Sequence, residues 1–226
     1  MRPTPARAAG RRWRAALAAG CAAVVLALTG CAPDASTTAT GGEDAAEQAV
    51  GGGDKIDVDT PALERLKAAA GIADCPTATG DGAVDGGLPD LTLPCLGGGA
   101  DVDLADLRGP LVLNAWYSSC APCRKELPVL AEFDAEHGDE VTMLGVDYAD
   151  PQTTAALQLL RDSGVTYPSV ADTDGAIVTD ETMRIVGFPT TVLVAADGTV
   201  AYVHAGEITS VAQLEKLVEQ YLGVDL

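Results

Sequence analysis

The sequence is poor in basic and in aromatic residues. Lysine and arginine together number 14 against 33 aspartates and glutamates, and aromatic residues make up 4% of the 226 residues. Five of the arginines lie in the first 30 residues, which contain no acid, so the remainder carries 9 basic and 33 acidic residues, a net charge of −24. Such a chain does not bind nucleic-acid phosphates or an anionic membrane surface through basic patches. The charge keeps the chain soluble, and we interpret it as solvated charge in preference to a surface for basic partners.

Several motifs of reactive or metal-binding residues are also missing. No cysteine follows the Pro-x-x-x-Thr/Ser-x-x spacing of a peroxiredoxin. The two histidines, His137 at a predicted helix end and His204 in a predicted strand, are isolated, and we interpret both as structural. Asp147 and Asp150 lie near a predicted strand end as a metal-binding pair would, but a turn into the next helix explains them better.

Residues 1–30 have the features of a targeting segment. An arginine-rich start leads into an apolar stretch from Ala15 to Leu28, which is too short for a good membrane-spanning helix. The stretch ends in Leu28-Thr29-Gly30-Cys31, which resembles a bacterial lipobox, where the cysteine is lipidated and becomes the new N-terminus. We therefore expect a lipid anchor on Cys31 at the extracytoplasmic face of a bacterial cell membrane. The alternative is an ordinary signal peptide, in which Cys31 has no role.

The rest of the chain divides into three parts. Residues 31–59 have almost no large apolar side chain and cannot order themselves, so we predict a flexible tether. A tether of this length reaches on the order of 30 Å. Residues 60–99 form an N-terminal extension that begins with a short helix, with Thr60 as its cap and Pro61 at its first position. Residues 100–226 contain the main domain.

The motif that organises this domain is a pair of cysteines after an apolar run. Leu111–Tyr117 has the length of a buried strand, Ser118–Ser119 is a polar turn, and Cys120-Ala121-Pro122-Cys123 opens a helix. Residues i and i+3 are neighbours on a helix, so the two thiols can form a disulfide. The positive end of the helix lowers a thiol's pKa from about 8.5, which favours Cys120 as the nucleophile and Cys123 as the resolving thiol. A structural disulfide and half of a metal site are the alternatives.

Two further cysteines remain once these are assigned. Cys21 lies in the predicted signal segment, and Cys31 is assigned to the lipid. We expect Cys75 and Cys95 to form a structural disulfide that closes a loop of about 20 residues and stabilises the fold by about 3 kcal/mol. The competing interpretation is a second redox couple. It is less favoured because no helix start that would activate a thiol lies nearby.

The remaining elements alternate between strands and helices. We predict strands at 100–104, 141–146, 167–170, 191–194 and 199–204, and helices at 122–137, 153–163, 174–186 and 210–222. Ala196-Asp197-Gly198 joins the last two strands as a hairpin. This order predicts an α/β fold in which a sheet carries one antiparallel flank.

These residues resemble the thioredoxin superfamily, in its membrane-anchored TlpA/ResA-like branch. The resemblance is carried by Trp116 with Cys120-Ala121-Pro122-Cys123, and by Gly187-Phe188-Pro189-Thr190 before the hairpin. It implies a thioredoxin-like fold with a central mixed sheet flanked by helices. It also implies a cis bond at Pro189, beside the cysteines, and a substrate-binding role for Trp116, Phe188, Pro189 and Thr190.

A third position selects the branch. Cytosolic thioredoxins carry a buried acid in the strand six residues before the first cysteine, and this chain has Asn114 there, which cannot take a proton. Glu126 instead lies three residues beyond Cys123, on the same side of the helix, as in the ResA-like CxxCxxE pattern. A carboxylate there can accept the proton of Cys123, and partial burial raises its pKa toward neutrality. A solvated glutamate beside Lys125 is the alternative.

The chain departs from the family pattern at one position. A tryptophan commonly precedes the first cysteine, and here that residue is Ser119. We expect the small hydroxyl to open the surface around Cys120.

The resemblance implies an exported, lipid-anchored protein thiol–disulfide oxidoreductase. Cys120 attacks a partner disulfide, Cys123 resolves the mixed disulfide and Glu126 transfers the proton, with no metal or organic cofactor. The expected partners are thiols and disulfides of exported proteins, including apocytochromes c, and a membrane redox partner that recharges the cysteine pair. The direction of exchange depends on a reduction potential that varies widely in this fold.

Two rival functions remain. The first is a copper-binding or metal-delivery lipoprotein that uses Cys120, Cys123 and His204. The Sco-type proteins of that class have three residues between their cysteines, whereas this chain has two. The second is a non-catalytic lipoprotein in which the cysteine pair only closes a loop.

Overall fold

The computed structural model of the chain describes residues 55–77 and 82–226. The predicted signal segment, the lipobox with Cys31 and most of the predicted tether lie outside these residues. Within them, no helix combines the length and the apolar character needed to cross a membrane.

The described residues form four α-helices and seven β-strands. The helices are α1 (Pro61–Ala70), α2 (Ala121–His137), α3 (Thr153–Asp162) and α4 (Val211–Leu222). The strands are β1 (Thr92–Leu93), β2 (Val102–Asp103), β3 (Leu111–Trp116), β4 (Thr142–Tyr148), β5 (Ser169–Asp172), β6 (Thr190–Val194) and β7 (Val200–Ala205). The predicted cap of α1 is present, since Thr60 accepts a hydrogen bond from the Leu63 N–H. Ser210, predicted as the first residue of the last helix, is the cap of α4 and accepts a hydrogen bond from the Gln213 N–H.

One predicted helix is wrong. Residues 174–186 contain only a short 3-10 helix, Ala176–Thr179, instead of an α-helix. Asp172 caps this turn by accepting the backbone N–H groups of Ala176 and Ile177, and Asp180 starts a second turn by accepting those of Thr182 and Met183. These aspartates offer the backbone local partners that compete with a continuous helix. The strand predicted at 100–104 is also shortened, because a 3-10 helix begins at Leu104.

Five strands build the central sheet, in the order β5-β4-β3-β6-β7. β3 pairs in parallel with β4, which pairs in parallel with β5. β3 pairs antiparallel with β6, and β6 pairs antiparallel with β7. The fold is therefore the expected thioredoxin-like arrangement, a mixed sheet flanked by helices with a hairpin at one edge. β3 lies at its centre, so the cysteine motif that follows β3 begins at the middle of the sheet.

Side chains of β3 alternate between two hydrophobic clusters. Val112 and Trp116 belong to a cluster that includes side chains from all four helices. Leu111 and Leu113 belong to the other, which includes residues of the extension and of the 176–185 loop. All six residues of β3 are buried, as the continuous apolar run predicts.

The N-terminal extension is part of this core. Cys75 and Cys95 form the expected disulfide, with Cα atoms 5.9 Å apart, and Cys95 makes a β-bridge to Val170 at the end of the sheet. Val58, within the predicted tether, is buried and its carbonyl accepts a hydrogen bond from the Gly97 N–H. Contact with the domain therefore begins before residue 60.

Replacing both Cys75 and Cys95 by alanine is expected to lower the free energy of unfolding by about 3 kcal/mol, because the disulfide restricts the unfolded chain over a sequence separation of 20. Urea unfolding of the oxidised proteins measures the difference. The paired Cys120→Ala and Cys123→Ala variant is the control, since its separation of 3 restricts the unfolded chain much less. Equal stability of the two double variants would contradict the loop-closure argument.

Candidate active site

The cysteine motif forms the junction between β3 and α2. Cys120 is the N-cap residue of α2, and its Sγ atom accepts a hydrogen bond from the Cys123 N–H at 3.2 Å. Cys120 and Cys123 form a disulfide with Cα atoms 5.3 Å apart, so the predicted pairing at the helix start is confirmed. An N-cap sulfur interacts with free backbone N–H groups and with the positive end of the helix dipole, and both favour a thiolate.

Both active-site cysteines are buried, although the small side chain of Ser119 led us to expect an exposed Cys120. Cys120 is 3% exposed and Cys123 is 1% exposed. The expectation that the small side chain of Ser119 opens the surface around Cys120 is therefore wrong for this disulfide form. Ser119 is itself exposed, and it lines a cavity of about 390 Å³ together with Tyr117, Tyr148 and Phe188. A larger residue at position 119 would extend into this cavity.

Glu126 is buried one helical turn beyond Cys123. It is 1% exposed, and its Oε1 atom accepts hydrogen bonds from Asn114 Nδ2 at 3.4 Å and from Thr191 Oγ1 at 3.3 Å. Loss of hydration raises the pKa of Glu126 to about 8, against the opposing effects of the Ile208 backbone and the Thr191 hydroxyl. The carboxyl group can therefore hold or release a proton near neutral pH.

The position of Glu126 explains why Asn114 replaces an acid in the strand. Asn114 lies on the face of β3 that α2 covers, and its amide donates to the Glu126 carboxylate. Helix residues three apart have Cβ atoms about 5–6 Å apart, which places Glu126 next to Cys123 on one face of α2. The Oε2 atom of Glu126 has no hydrogen-bond partner among the described residues. This oxygen is therefore not committed to another hydrogen bond, and the role of Glu126 as the proton acceptor stays a prediction.

Asp147, expected with Asp150 in a turn, is instead a buried acid of β4, so the turn interpretation is wrong for Asp147. Asp147, in β4 opposite Trp116, is fully buried, and its pKa is raised well above the usual range by burial and then by the charge of Asp150. Asp150 accepts the backbone N–H groups of Ser118 and Gln152, at 2.6 Å and 2.8 Å. The interpretation of Asp150 as a turn residue is therefore confirmed, and Asp150 also holds the Ser118 turn before the cysteines. The available signal for Asp147 was an acid within an otherwise apolar strand.

Phe188 and Pro189 lie beside the cysteine motif. The Phe188–Pro189 peptide bond is cis, as the resemblance implies, and Gly109–Pro110 is a second cis bond that was not expected. The Phe188 ring packs against Tyr117 at 5.4 Å and against Tyr148 at 4.6 Å between ring centroids. Half-buried Phe188 therefore forms one wall of the cavity that Ser119 lines.

Two of the predicted substrate-binding side chains do not reach the surface. Trp116 and Thr190 are both fully buried, and the Thr190 hydroxyl donates to the Gly187 carbonyl at 2.7 Å. Their roles are corrected to supporting ones, because a protein partner cannot contact a fully buried side chain. Val186, 86% exposed, is the exposed large apolar side chain of this loop and was missed because an isolated valine has no distinctive pattern.

The predicted copper ligands do not form a cluster in this structure. Among the described residues, the group of three possible ligand side chains that approach within 4.8 Å consists of Glu136, His137 and Glu215, and it includes neither His204 nor an active-site cysteine. His137 Nε2 lies 3.0 Å from Glu215 Oε1, which joins α2 to α4 and agrees with a structural role. The Cys75–Cys95 disulfide belongs to the hydrophobic cluster on the other side of β3 and is separate from this site.

The arrangement can perform thiol–disulfide exchange. The N-cap position of Cys120 stabilises the thiolate that attacks a disulfide or leaves from one. Cys123 is close enough to close the internal disulfide, and Glu126 can take the proton that Cys123 loses. A cavity lined by Tyr117, Tyr148 and Phe188 lies beside Ser119, the residue before Cys120.

Comparisons with known proteins agree with this chemistry. The sequence profile of the family described as Redoxin matches residues 83–218. The thiol:disulfide interchange protein DsbE of Pseudomonas fluorescens biotype C is 33% identical over 136 residues, covering 59% of this chain and 73% of that protein. The thiol-disulfide oxidoreductase ResA of Bacillus subtilis (strain 168) is 29% identical over 128 residues, covering 56% of this chain and 67% of that protein.

A solved structure gives the same result for the fold. The structure of MTB dsbF in its mixed oxidized and reduced forms is 29% identical, with a TM-score of 0.52, and the match covers 59% of this chain and 98% of that one. The names of DsbE and ResA both refer to thiol–disulfide exchange. This is the chemistry that the geometry of Cys120 and Cys123 allows.

Proposed function

Because the chain belongs to the Redoxin family and is a protein thiol–disulfide oxidoreductase, we propose that it exchanges disulfides with exported proteins at the outer face of a bacterial cell membrane. The observation that supports this most is the disulfide at the N-terminus of α2 with a buried glutamate one turn further along. The resemblance of Leu28-Thr29-Gly30-Cys31 to a lipobox supports the location, since a lipid on Cys31 would anchor the chain outside the cytoplasm. Apocytochromes c, whose haem-binding cysteines must be reduced, are one substrate class that this location and chemistry suit.

The exchange proceeds in two steps. The Cys120 thiolate attacks a sulfur of the partner disulfide, forming a mixed disulfide and releasing one partner thiolate, which takes a proton from solvent. Cys123 then loses its proton to Glu126 and attacks the Cys120 sulfur, which closes the internal disulfide and releases the second partner thiolate. That thiolate takes a proton from solvent, and Glu126 returns its own proton to solvent. A membrane dithiol that reduces Cys120–Cys123 returns the enzyme to its starting state. The same steps in reverse insert a disulfide into a partner.

The test is disulfide transfer between the purified chain and a protein substrate such as insulin, with free thiols trapped at each time point. The proposed function requires that reduction of insulin and oxidation of Cys120–Cys123 proceed in equal amounts. Stoichiometric retention of Cu(I) by the reduced protein, lost on His204→Ala, together with no transfer to insulin, would instead establish the copper-binding rival.

Val186 gives a test of where the partner docks. Val186→Ser is expected to lower kcat/KM for a protein disulfide by up to about tenfold, because fully burying a valine contributes about 1.5 kcal/mol and tenfold corresponds to about 1.4 kcal/mol. Steady-state rates with insulin and with a small disulfide are compared. The small disulfide is too small to reach both Val186 and the cysteines, so its rate should not change.

Ala135→Ser, an exposed change on α2, is the matched control for Val186→Ser and should affect neither substrate. An equal loss with both substrates would contradict a docking role for Val186, and so would unchanged kinetics with insulin.

A further inference from the structure

Lys67 is a buried cation beside the second disulfide. It lies in α1, its side chain is 6% exposed, and its Nζ atom donates to the Gly98 carbonyl at 2.8 Å and contacts Cys95 Sγ at 3.3 Å. Its ion-pair partner among the described residues is Asp74 at 3.5 Å, and the Asp74 side chain is 96% exposed. A buried ammonium group is normally paired with a buried negative charge, because removing a charge from water is costly. Here Cys95 supplies no such charge while it is part of the disulfide.

Three consecutive glycines cover Lys67 and leave space beside the sulfur. Gly97, Gly98 and Gly99 all have positive φ angles, of 79°, 86° and 124°. A Cβ atom at Gly97 would lie 2.9 Å from the Lys67 Cβ, and one at Gly99 would lie 3.5 Å from Cys95 Sγ and 3.6 Å from Lys67 Nζ. Glycine thus lets the chain close over the lysine stem, and a side chain at Gly99 would contact both the ammonium group and the sulfur.

Lys67 lines a cavity of about 310 Å³, and Cys95 lies behind Lys67 and the glycines, outside the lining. Lys67, Asp74 and the three glycines contribute to its lining. The cavity is large enough for a small thiol, and the Lys67 charge attracts the thiolate form of such a molecule. The neighbouring carboxylates, of Asp59, Glu64 and Asp74, are all exposed, so water screens them more than it screens the buried ammonium group.

We propose that Cys75–Cys95 is a second thiol–disulfide site, which low-molecular-weight thiols reduce, and that Lys67 stabilises the Cys95 thiolate that the reduction releases. The ion pair between Lys67 and the Cys95 thiolate exists only in the reduced form, so it shifts the equilibrium toward that form. The reaction does not use Cys120 or Cys123, and Cys75 and Cys95 belong to the hydrophobic cluster that contains neither of them.

The reaction consumes two thiol molecules. Cys95 is 2% exposed, so the first thiolate reaches Cys95 Sγ when the covering glycine run moves aside. The Cys75–Cys95 bond then breaks, and Cys75 leaves as a thiolate that takes a proton. The second thiolate attacks the outer sulfur of the mixed disulfide, and a small-molecule disulfide forms as Cys95 leaves. The two electrons come from the two thiols. Of their two protons, one resides on Cys75 and the other is released to solvent, because Cys95 stays ionised beside Lys67.

The equilibrium is measured in a Cys120→Ser, Cys123→Ser background, in which Cys75 and Cys95 supply the redox signal. The protein is equilibrated with mixtures of reduced and oxidised dithiothreitol and its thiols are then alkylated and counted. Lys67→Gln is expected to shift the equilibrium about tenfold toward the disulfide, equivalent to about 30 mV. Lys67→Arg should restore most of the difference because it keeps the charge. Lys125→Gln, at an exposed lysine, is the matched control and should leave the equilibrium unchanged.

A second measurement compares the two cysteines within one protein. The reduced protein is alkylated with iodoacetamide over a range of pH, and the products at Cys75 and Cys95 are separated by mass spectrometry. Cys95 is expected to react at lower pH than Cys75, and Lys67→Gln should remove the difference. Equal pH profiles for the two cysteines would overturn the proposal. So would redox equilibria that agree within about twofold between the background protein and its Lys67→Gln variant, both shown to be folded. Both measurements use protein that lacks the Cys120 and Cys123 thiols. Failure of this proposal is therefore distinguishable from failure of the proposed function, which depends on Cys120.

Discussion

Replacing Cys120 by serine is expected to reduce disulfide exchange to the uncatalysed rate. Cys120 is the N-cap of α2, where the Cys123 N–H and the helix dipole stabilise a thiolate, and a serine hydroxyl does not ionise at neutral pH. No other cysteine has this position among the described residues. The measurement is insulin reduction with saturating reductant, with the variant shown to be folded by its circular dichroism.

Comparing Cys123→Ser with Cys120→Ser distinguishes the resolving thiol from the attacking thiol. Because Cys120 keeps its nucleophilic position and the resolving thiol is missing, the mixed disulfide with a partner should accumulate instead of turning over. Electrophoresis without reductant detects it as a covalent adduct. An adduct that forms equally with Cys120→Ser would contradict the assignment of Cys120 as the attacking thiol.

The substitution Glu126→Gln is expected to slow resolution of the mixed disulfide by about 10²-fold, the lower end of what a positioned proton acceptor contributes. The active form of the base is the carboxylate, and the pKa of Glu126 is about 8. The wild-type rate should therefore rise with pH up to about 8 and level off above it. In the glutamine variant this rise should disappear, because the amide does not titrate. Rapid-quench measurements on the preformed mixed disulfide give both quantities.

Glu132→Gln is the control for that experiment, since Glu132 is an exposed acid on the same helix and should have no effect on the rate or on its pH profile. If Glu126→Gln keeps the wild-type pH profile, Glu126 is not the proton acceptor. A loss of rate alone, with an unchanged profile, would indicate a packing role for the carboxyl group.

Glu126 also makes stability depend on pH. Its pKa is about 8 in the folded protein and 4.5 as the ordinary value, so the folded state holds a proton that the unfolded state has released over this interval. The stabilisation is complete below about pH 4.5 and is lost as the pH rises through about 8, in total about 5 kcal/mol. Glu126→Gln removes this contribution, so the difference in unfolding free energy between the two proteins should change by most of that amount between pH 5 and pH 8. A constant difference would contradict the burial argument.

The architecture of the site was largely predictable because local patterns determine it. The apolar run before Cys120 and the cap position of the first cysteine specify β3 and the start of α2 from neighbouring residues alone. The Cys75–Cys95 disulfide followed from counting cysteines, since the other four had assignments.

Features that depend on distant residues were not predictable in the same way. The burial of Asp147 depends on strand pairing with Trp116, and the contact of Lys67 with Cys95 depends on how the glycine run folds over α1. Both are created by tertiary packing between segments far apart in the sequence. The α-helix predicted at 174–186 is wrong because aspartate side chains accept hydrogen bonds from nearby backbone N–H groups. The spacing of apolar residues, on which the prediction rested, carries no information about such hydrogen bonds.

The burial of Trp116 provides an optical signal. Of the two tryptophans, Trp13 lies in the predicted signal segment, so a processed chain has Trp116 as its single indole fluorophore. Trp116 belongs to the same hydrophobic cluster as Cys120 and Cys123, and disulfides quench indole emission by accepting an electron from the excited ring. Reduction of the active-site pair should therefore brighten the intrinsic fluorescence of the protein, and the emission at any instant reports what fraction of the molecules carries the dithiol.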